Sequence, residues 1–335
     1  MQHLSPMPAM DTPDKPVLTP PEEAQLRARS DLMGFYLVLH AWVVIALAMA
    51  LFIAWPNPLT FVVAMVLIGG RQLGLAILMH DAAHRALFKN TWLNDFVGAH
   101  FCGFPVGASL ALYRPYHLSH HRHTQQPEDP DLILSAPFPI TRQSFKRKMW
   151  RDILGVTGYQ RRLEQFKFTM GDDPSLAKRL AKLVTHEKYF IASNAALLLI
   201  LSLAGFGWAY FVLWLLPLMT WYQVISRVRN IAEHAVVGDN HDRLRNTRTT
   251  LTNSLMRMVL APYWVNYHLE HHLFVYTPCW KLPLAHRMLV SKGFAPQMEL
   301  AQGYWQVLRM ATSKDPSSNS GSGGLDTTRR SASMI

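Results

Sequence analysis

The chain has 335 residues, half of them hydrophobic and only 16% charged. Soluble domains average about 25% charged residues, so this composition excludes an ordinary soluble protein and points to a membrane. The formal net charge of +11 lies beside apolar runs, not in a compact basic domain. That argues against nucleic acid and for an anionic membrane surface or an acidic partner protein.

Met1 to Pro21 is Pro-rich without an apolar core, so it does not read as a secretory signal. A disordered arm is expected over residues 1–30, a membrane domain over 31–311 and a disordered, Ser- and Gly-rich tail over 312–335. Leu32 to Trp55 carries no charge and reaches the ~20 residues a bilayer crossing needs. His40 within it is expected to be packed rather than liganding. Pro56-Asn57-Pro58 breaks the chain. A second span follows from Leu59 to Met79, interrupted by Arg71 and Gln72, and ends at His80. A charge at membrane depth marks a cavity or pathway by default. Arg71, ~13 Å from His80 along a helix, and Gln72 are therefore expected at the end of a substrate channel.

Phe96 to Tyr113 is uncharged but contains Gly98, Gly103, Pro105 and Gly107. Such residues weaken a straight helix. A re-entrant or interfacial segment is expected, with His100 structural. Pro127 to Asp131 is a turn cluster. The stretch from Arg142 to Lys188 is rich in Arg and Lys and reads as cytoplasmic. Tyr189 to Ser226 is uncharged and long enough for two spans around Ala204–Trp208. Leu251 to Tyr267 is expected to form a membrane-surface helix. The fold expected is all-α and integral to the membrane, with four transmembrane helices. A cytosolic helical cap and both termini lie on one side, in the inner membrane if the source is bacterial.

Four histidine clusters punctuate this plan: His80 and His84; His117, His120 and His121; Asn230 and His234; His268, His271 and His272. Spacings of three and four residues put side chains on one helical face. Nine imidazoles are too many for one metal, which takes about four ligands. They suit two first-row metals, and imidazole accepts iron, copper, nickel or zinc. Such a site can activate oxygen toward a C–H bond or activate water for hydrolysis. Embedding in lipid favours the oxidative reading, because an apolar chain offers C–H bonds. A metal transporter would hold its ligands near the bilayer midplane; here they sit at span ends. Asp81, Glu270 and Asp131, with Asp129 and Glu233 beside them, are expected to accept N–H bonds from ligand histidines. His123 falls outside the spacing. Cys102 and Cys279 form no CxxC pair, so the chain builds no iron–sulfur cluster, and if the site does redox chemistry its electrons are expected from another protein.

His80–His84, His117–His121 and His268–His272 resemble the three histidine boxes of the membrane fatty acid desaturase and hydroxylase superfamily. Asn230 and His234 are similar to that family's additional metal-site pair. The resemblance covers roughly Leu32 to Leu289. It implies two irons held by the nine histidines, Asn230 reaching a metal through water, and O2 as co-substrate. It also implies a lipid acyl substrate and an external donor of ferredoxin, rubredoxin or cytochrome b5 type. The last box begins with His268 instead of glutamine and no cytochrome b5 domain is fused, which disfavours front-end desaturases. Hydroxylases, ketolases and sphingolipid desaturases share the boxes. A fatty acyl desaturase is the expectation, with a lipid or carotenoid hydroxylase or ketolase as the alternative. The substrate route is expected between the spans ending at His80 and Arg229, lined by Leu73, Ala76, Met219 and Tyr222.

Overall fold

Ser30 caps α2 (Asp31–Ala54) by accepting the Met33 N–H at 3.3 Å. α2 is apolar all round, with Leu32, Leu39 and Leu47 outward and Leu37, Ala41 and Ile45 inward. That pattern belongs to a helix solvated by lipid on one side and protein on the other. Asn57 then caps α3 (Pro58–Ala83), with Pro58 in the first turn and Thr60 closing the capping box. Proline fits there because the first-turn N–H has no helical partner anyway. The tight Trp55–Asn57 link lays α3 back along α2. Every residue of α3 from Ile68 to Ala83 is buried, so its second half is the mast around which the molecule packs. The structure, a computed structural model, describes residues 17–315.

α4 (Thr91–Val97) continues through a π-helical turn, Gly98–Gly103, into Phe104–Val106. At Gly107 the backbone turns with φ +83°, a region that suits glycine. α5 (Leu110–His123) leaves at 94° to the incoming segment. The segment expected to be re-entrant thus takes the form of a bent pair. Arg114 of α5 donates to the carbonyls of Ala82 and Ala83 at 2.9 and 3.0 Å, placing a cation at the C-terminus of α3.

Two polar helices, α6 (Arg142–Ile153) and α7 (Val156–Met170), precede α8 (Leu176–Leu203). Among the described residues, three stretches are long and apolar enough to cross a membrane: α2, α3 and Gly207–His234. The bent pair raises that to four if it is one span. The third span expected from Tyr189 lies on α8. Its apolar part, Tyr189–Leu203, rises about 22 Å, short of the ~30 Å hydrocarbon core. Gly207–His234 contains a π turn at Tyr210–Leu215 and a break at Thr220, after which α9 (Trp221–His234) runs to the histidines. Asp152 of α6 is fully buried and accepts from Arg227 of α9 at 2.8 Å.

β1 (Thr249–Thr250) pairs in parallel with β2 (Leu300–Ala301). Between them lie α10 (His268–Leu273) and α11 (Leu282–Ser291); α12 (Tyr304–Ala311) follows. The surface helix expected over Leu251–Tyr267 is not continuous. It is a short helix, Ser254–Val259, then a turn where Tyr263 and Trp264 take φ of 53° and 59°. Tyr263 is held there because its hydroxyl donates to the Leu37 carbonyl at 3.1 Å.

The arm expected to be disordered to residue 30 is also corrected. α1 (Pro20–Arg27) is a capped helix, and Leu18 and Leu26 bury against Ala285 of α11. Glu22 pairs with Lys292 at 2.9 Å. Residues 1–16, and the tail expected from Thr312 beyond Asp315, lie outside the described residues.

Candidate metal centre

The nine histidines converge from α3, α5, α9 and α10 into two groups. His80, His84, His117, His121 and His271 form one, and His120, His234, His268 and His272 form the other; the ligand atoms within each lie within 4.8 Å of one another. Each HxxHH cluster is therefore shared. His117 and His121 serve the first group and His120 the second, whereas His268 and His272 serve the second and His271 the first. Spacing alone had not revealed this division.

The ring nitrogens fit cations. His268 Nε2 stands 2.8 Å from His234 Nε2 and 3.1 Å from His272 Nε2. His121 Nε2 stands 2.9 Å from His117 Nε2 and 3.0 Å from His271 Nε2. One N–H satisfies only one such neighbour. Two imidazoles ~2.1 Å from one ion at right angles stand ~3.0 Å apart, the spacing seen. Both ring nitrogens of His80 and His84 are buried without a partner, and such orphaned groups call for an explanation such as an ion. Burial, reinforced by neighbouring histidines, holds His268, His271 and His272 well below the usual imidazole range. Burial, with His120 and Arg114, pushes His84 down to about 3. Burial thus favours the neutral ring, the form that ligates metal.

The acceptors behind the histidines differ in part from expectation. His120 Nδ1 meets Asp129 Oδ1 at 2.8 Å and lies 3.9 Å from Asp131. Asp131 is turned to the Tyr116 hydroxyl, so Asp129 takes the role expected of Asp131. Glu270 is fully buried but binds the Thr249 hydroxyl and His286 Nδ1, the latter at 2.6 Å. It orients no ligand histidine, because its side chain points to the opposite side of α10. Asp81 accepts the Cys279 N–H at 2.8 Å and stands 3.6 Å from His80 Nδ1. Thr124, which the sequence reading missed, lies 3.1 Å from His272 Nδ1. Its signal was its place one turn after His120. Glu233 stands 3.6 Å from His268 Nδ1 and accepts from Arg229 at 2.6 Å. His40 pairs with the Tyr263 hydroxyl at 3.1 Å and His100 packs among Phe96, Phe104 and Tyr189; neither joins the centre. Nor does His123.

Among the described residues, one cavity borders the centre and a larger one lies a tyrosine away from it. The first, about 50 Å³, is bordered by His120, His234, His268, Asn230 and Glu233. Asn230 thus sits beside the four-histidine group. The larger one, about 340 Å³, lies between α5, α7 and α8. Tyr113 and Tyr116 border both, and Tyr113 stacks on His117 with ring centres 4.9 Å apart. Along the route expected between α3 and α9, these cavities do not appear. Leu73, Ala76 and Tyr222 are buried in the hydrophobic core. Arg71 donates to the Met258 carbonyl at 2.6 Å and Gln72 to the Trp214 carbonyl at 2.7 Å. Those bonds offset part of the cost of burying both side chains, although Arg71 Nε and Gln72 Oε1 stay without a partner, and neither residue borders either cavity.

Comparison with known proteins agrees with this centre. The Fatty acid desaturase family model matches residues 53–303. Dihydrorhizobitoxine desaturase of Bradyrhizobium elkanii is 31% identical over 72% of this chain and 70% of its own length. An sn-1 oleoyl-lipid 12-desaturase of Synechocystis is 25% identical over 70% of each chain. Beta-carotene ketolase of Paracoccus is 24% identical over 80% of this chain and 95% of its own length. The matched region spans all four histidine clusters, and on that ground the chain belongs to the fatty acid desaturase family.

Proposed function

We propose that this chain is an oxygen-dependent lipid desaturase of the membrane, working through two irons. The observation that carries this reading is the division of nine histidines, six buried and three partly buried, into two adjoining groups. The groups correspond to two ions, and all-nitrogen ligation suits iron. When bound, two irons supply the oxidising chemistry, with O2, that removes hydrogen from an unactivated C–H bond.

The chain's own residues do the positioning. Asp129 fixes the ring of His120, and Thr124 that of His272. Such outer partners orient ligand rings and select their tautomers. The nine histidines are assigned as iron ligands, and Asn230 is assigned to reach the four-histidine ion through water. Tyr113 and Tyr116 form the wall between the histidines and the larger cavity, which we assign to the substrate. Its volume falls at the lower end of the ~300–1,000 Å³ of small-molecule sites.

Cys102 and Cys279 are both buried, so electrons come from an external donor of ferredoxin, rubredoxin or cytochrome b5 type. The basic stretch Arg142–Lys188 supports a cytoplasmic cap by the positive-inside rule. The apolar half of α8 is assigned as the remaining span, which gives four with α2, α3 and Gly207–His234.

The test is mass spectrometry of total extracts from a host expressing the protein against an empty-vector host. Loss of two hydrogens from an acyl chain is expected. The polar fraction is included, because one relative acts by name on dihydrorhizobitoxine. A second reading is favoured by the ketolase match over 95% of that protein's length. Oxygen gained only by carotenoids would replace the desaturase reading with it.

A further inference from the structure

The larger cavity is mostly apolar but has a carboxylate in its wall. Glu187 of α8 is only 8% exposed. Gln165 donates to its two oxygens at 3.1 and 3.3 Å, and the Thr169 hydroxyl donates to Oε1 at 3.1 Å. Among the described residues it forms no ion pair. The nearby Arg162 interacts with Glu187 through its charge but directs its hydrogen bonds to Gln165 and to the carbonyls of Val106 and Gly107. A carboxylate accepts about four hydrogen bonds, so Oε2 keeps capacity. Burying a charge is costly unless it is fully paired. A tie between α7 and α8 alone needs no charge, since a glutamine would serve.

We propose that Glu187 is a specificity-determining residue that accepts a hydrogen bond from a hydroxyl or ammonium group on the substrate. The hydrocarbon part then runs along Leu112 and Phe190 toward Tyr113 and the histidines. The substrate class is a small amphiphile with a donor group; a bare acyl chain leaves the remaining capacity of Oε2 unfilled. This rests on the desaturase reading and on the cavity being the substrate site.

The full-length, metal-loaded protein in lipid nanodiscs is titrated calorimetrically with octanol, octylamine and octyl methyl ether, with empty nanodiscs as blank. Octanol and octylamine are expected to bind about tenfold tighter than the ether, which lacks a donor, as hydrogen bonds to charged groups imply. Glu187→Leu should erase the preference. The near-isosteric Glu187→Gln should keep it for octanol and lose it for octylamine. Equal binding of all three probes by the wild type, or a preference surviving in Glu187→Leu, would overturn the proposal. Leu112→Trp, which adds bulk to the cavity wall, separates the two readings. Loss of all probe binding with new double bonds still made in a host means the cavity is not the substrate site, and the proposal falls while the desaturase stands. Donor-selective binding that depends on Glu187, in a wild type that makes no double bond in any extract, upholds the donor site and overturns the desaturase instead.

Discussion

His120 depends on Asp129 for its orientation. The 2.8 Å contact between two buried side chains fixes which ring nitrogen faces the four-histidine group. Loss of such a partner typically lowers metal affinity ~10–100-fold. Asp129→Ala should therefore release metal to a chelator at correspondingly lower chelator concentration, whereas Asp131→Ala should change it less. Equal loss in both would show that His120 is held some other way. The nine histidines were legible from spacing because three- and four-residue steps recur on one face. Their division between two groups follows from helical phase once the helices are docked. At ~100° per residue, His121 lies ~40° to one side of His117 and His120 ~60° to the other, so one helix addresses two centres. The choice between Asp129 and Asp131 was not legible. Both sit in one turn, and only the folded loop decides which carboxylate faces inward.

At the scale of elements, the centre depends on how closely α5 and the π turn approach α3. A Cβ at Gly98 would come within 2.3 Å of the Ala82 Cβ. Gly98→Val should cost about 1–3 kcal/mol, as overpacking generally does, and thermal unfolding should show a lower midpoint. The same variant should lose metal, because His80 and His84 flank Ala82. A stable, metal-replete Gly98→Val would remove the close packing from the account.

α1 offers a gentler test. The Thr19 backbone N–H, then Lys292, hold the Glu22 carboxylate down to about 2. Its folded value is depressed, so its contribution is present above the free carboxylate value of ~4.3 and is lost as pH falls toward 2. Protection of α1 from proteolysis should weaken over that window in the wild type but not in Glu22→Gln. Long apolar helices such as α2 and α3 were plain in the sequence, and the Gly- and Pro-bearing stretch announced its bend. α1 was missed because a Pro-rich lead hides an eight-residue helix that is too short to hold alone and owes its order to contacts with α11, near the other end of the chain.

For the whole molecule, the proposed topology has the cap and the centre on one side of the membrane. Both native cysteines are buried, so single introduced cysteines report cleanly. Gln143→Cys on α6 should resist an impermeant thiol reagent in intact cells, and Ala204→Cys at the opposite end of α8 should react. The reverse pattern would invert the topology. The most direct test of the central claim is metal analysis of the purified, full-length protein. The two histidine groups predict two irons per chain, falling in both His271→Ala and His272→Ala because each group loses a ligand. A single zinc with no iron in the wild type, or a full complement of iron in either variant, would contradict the two-ion centre.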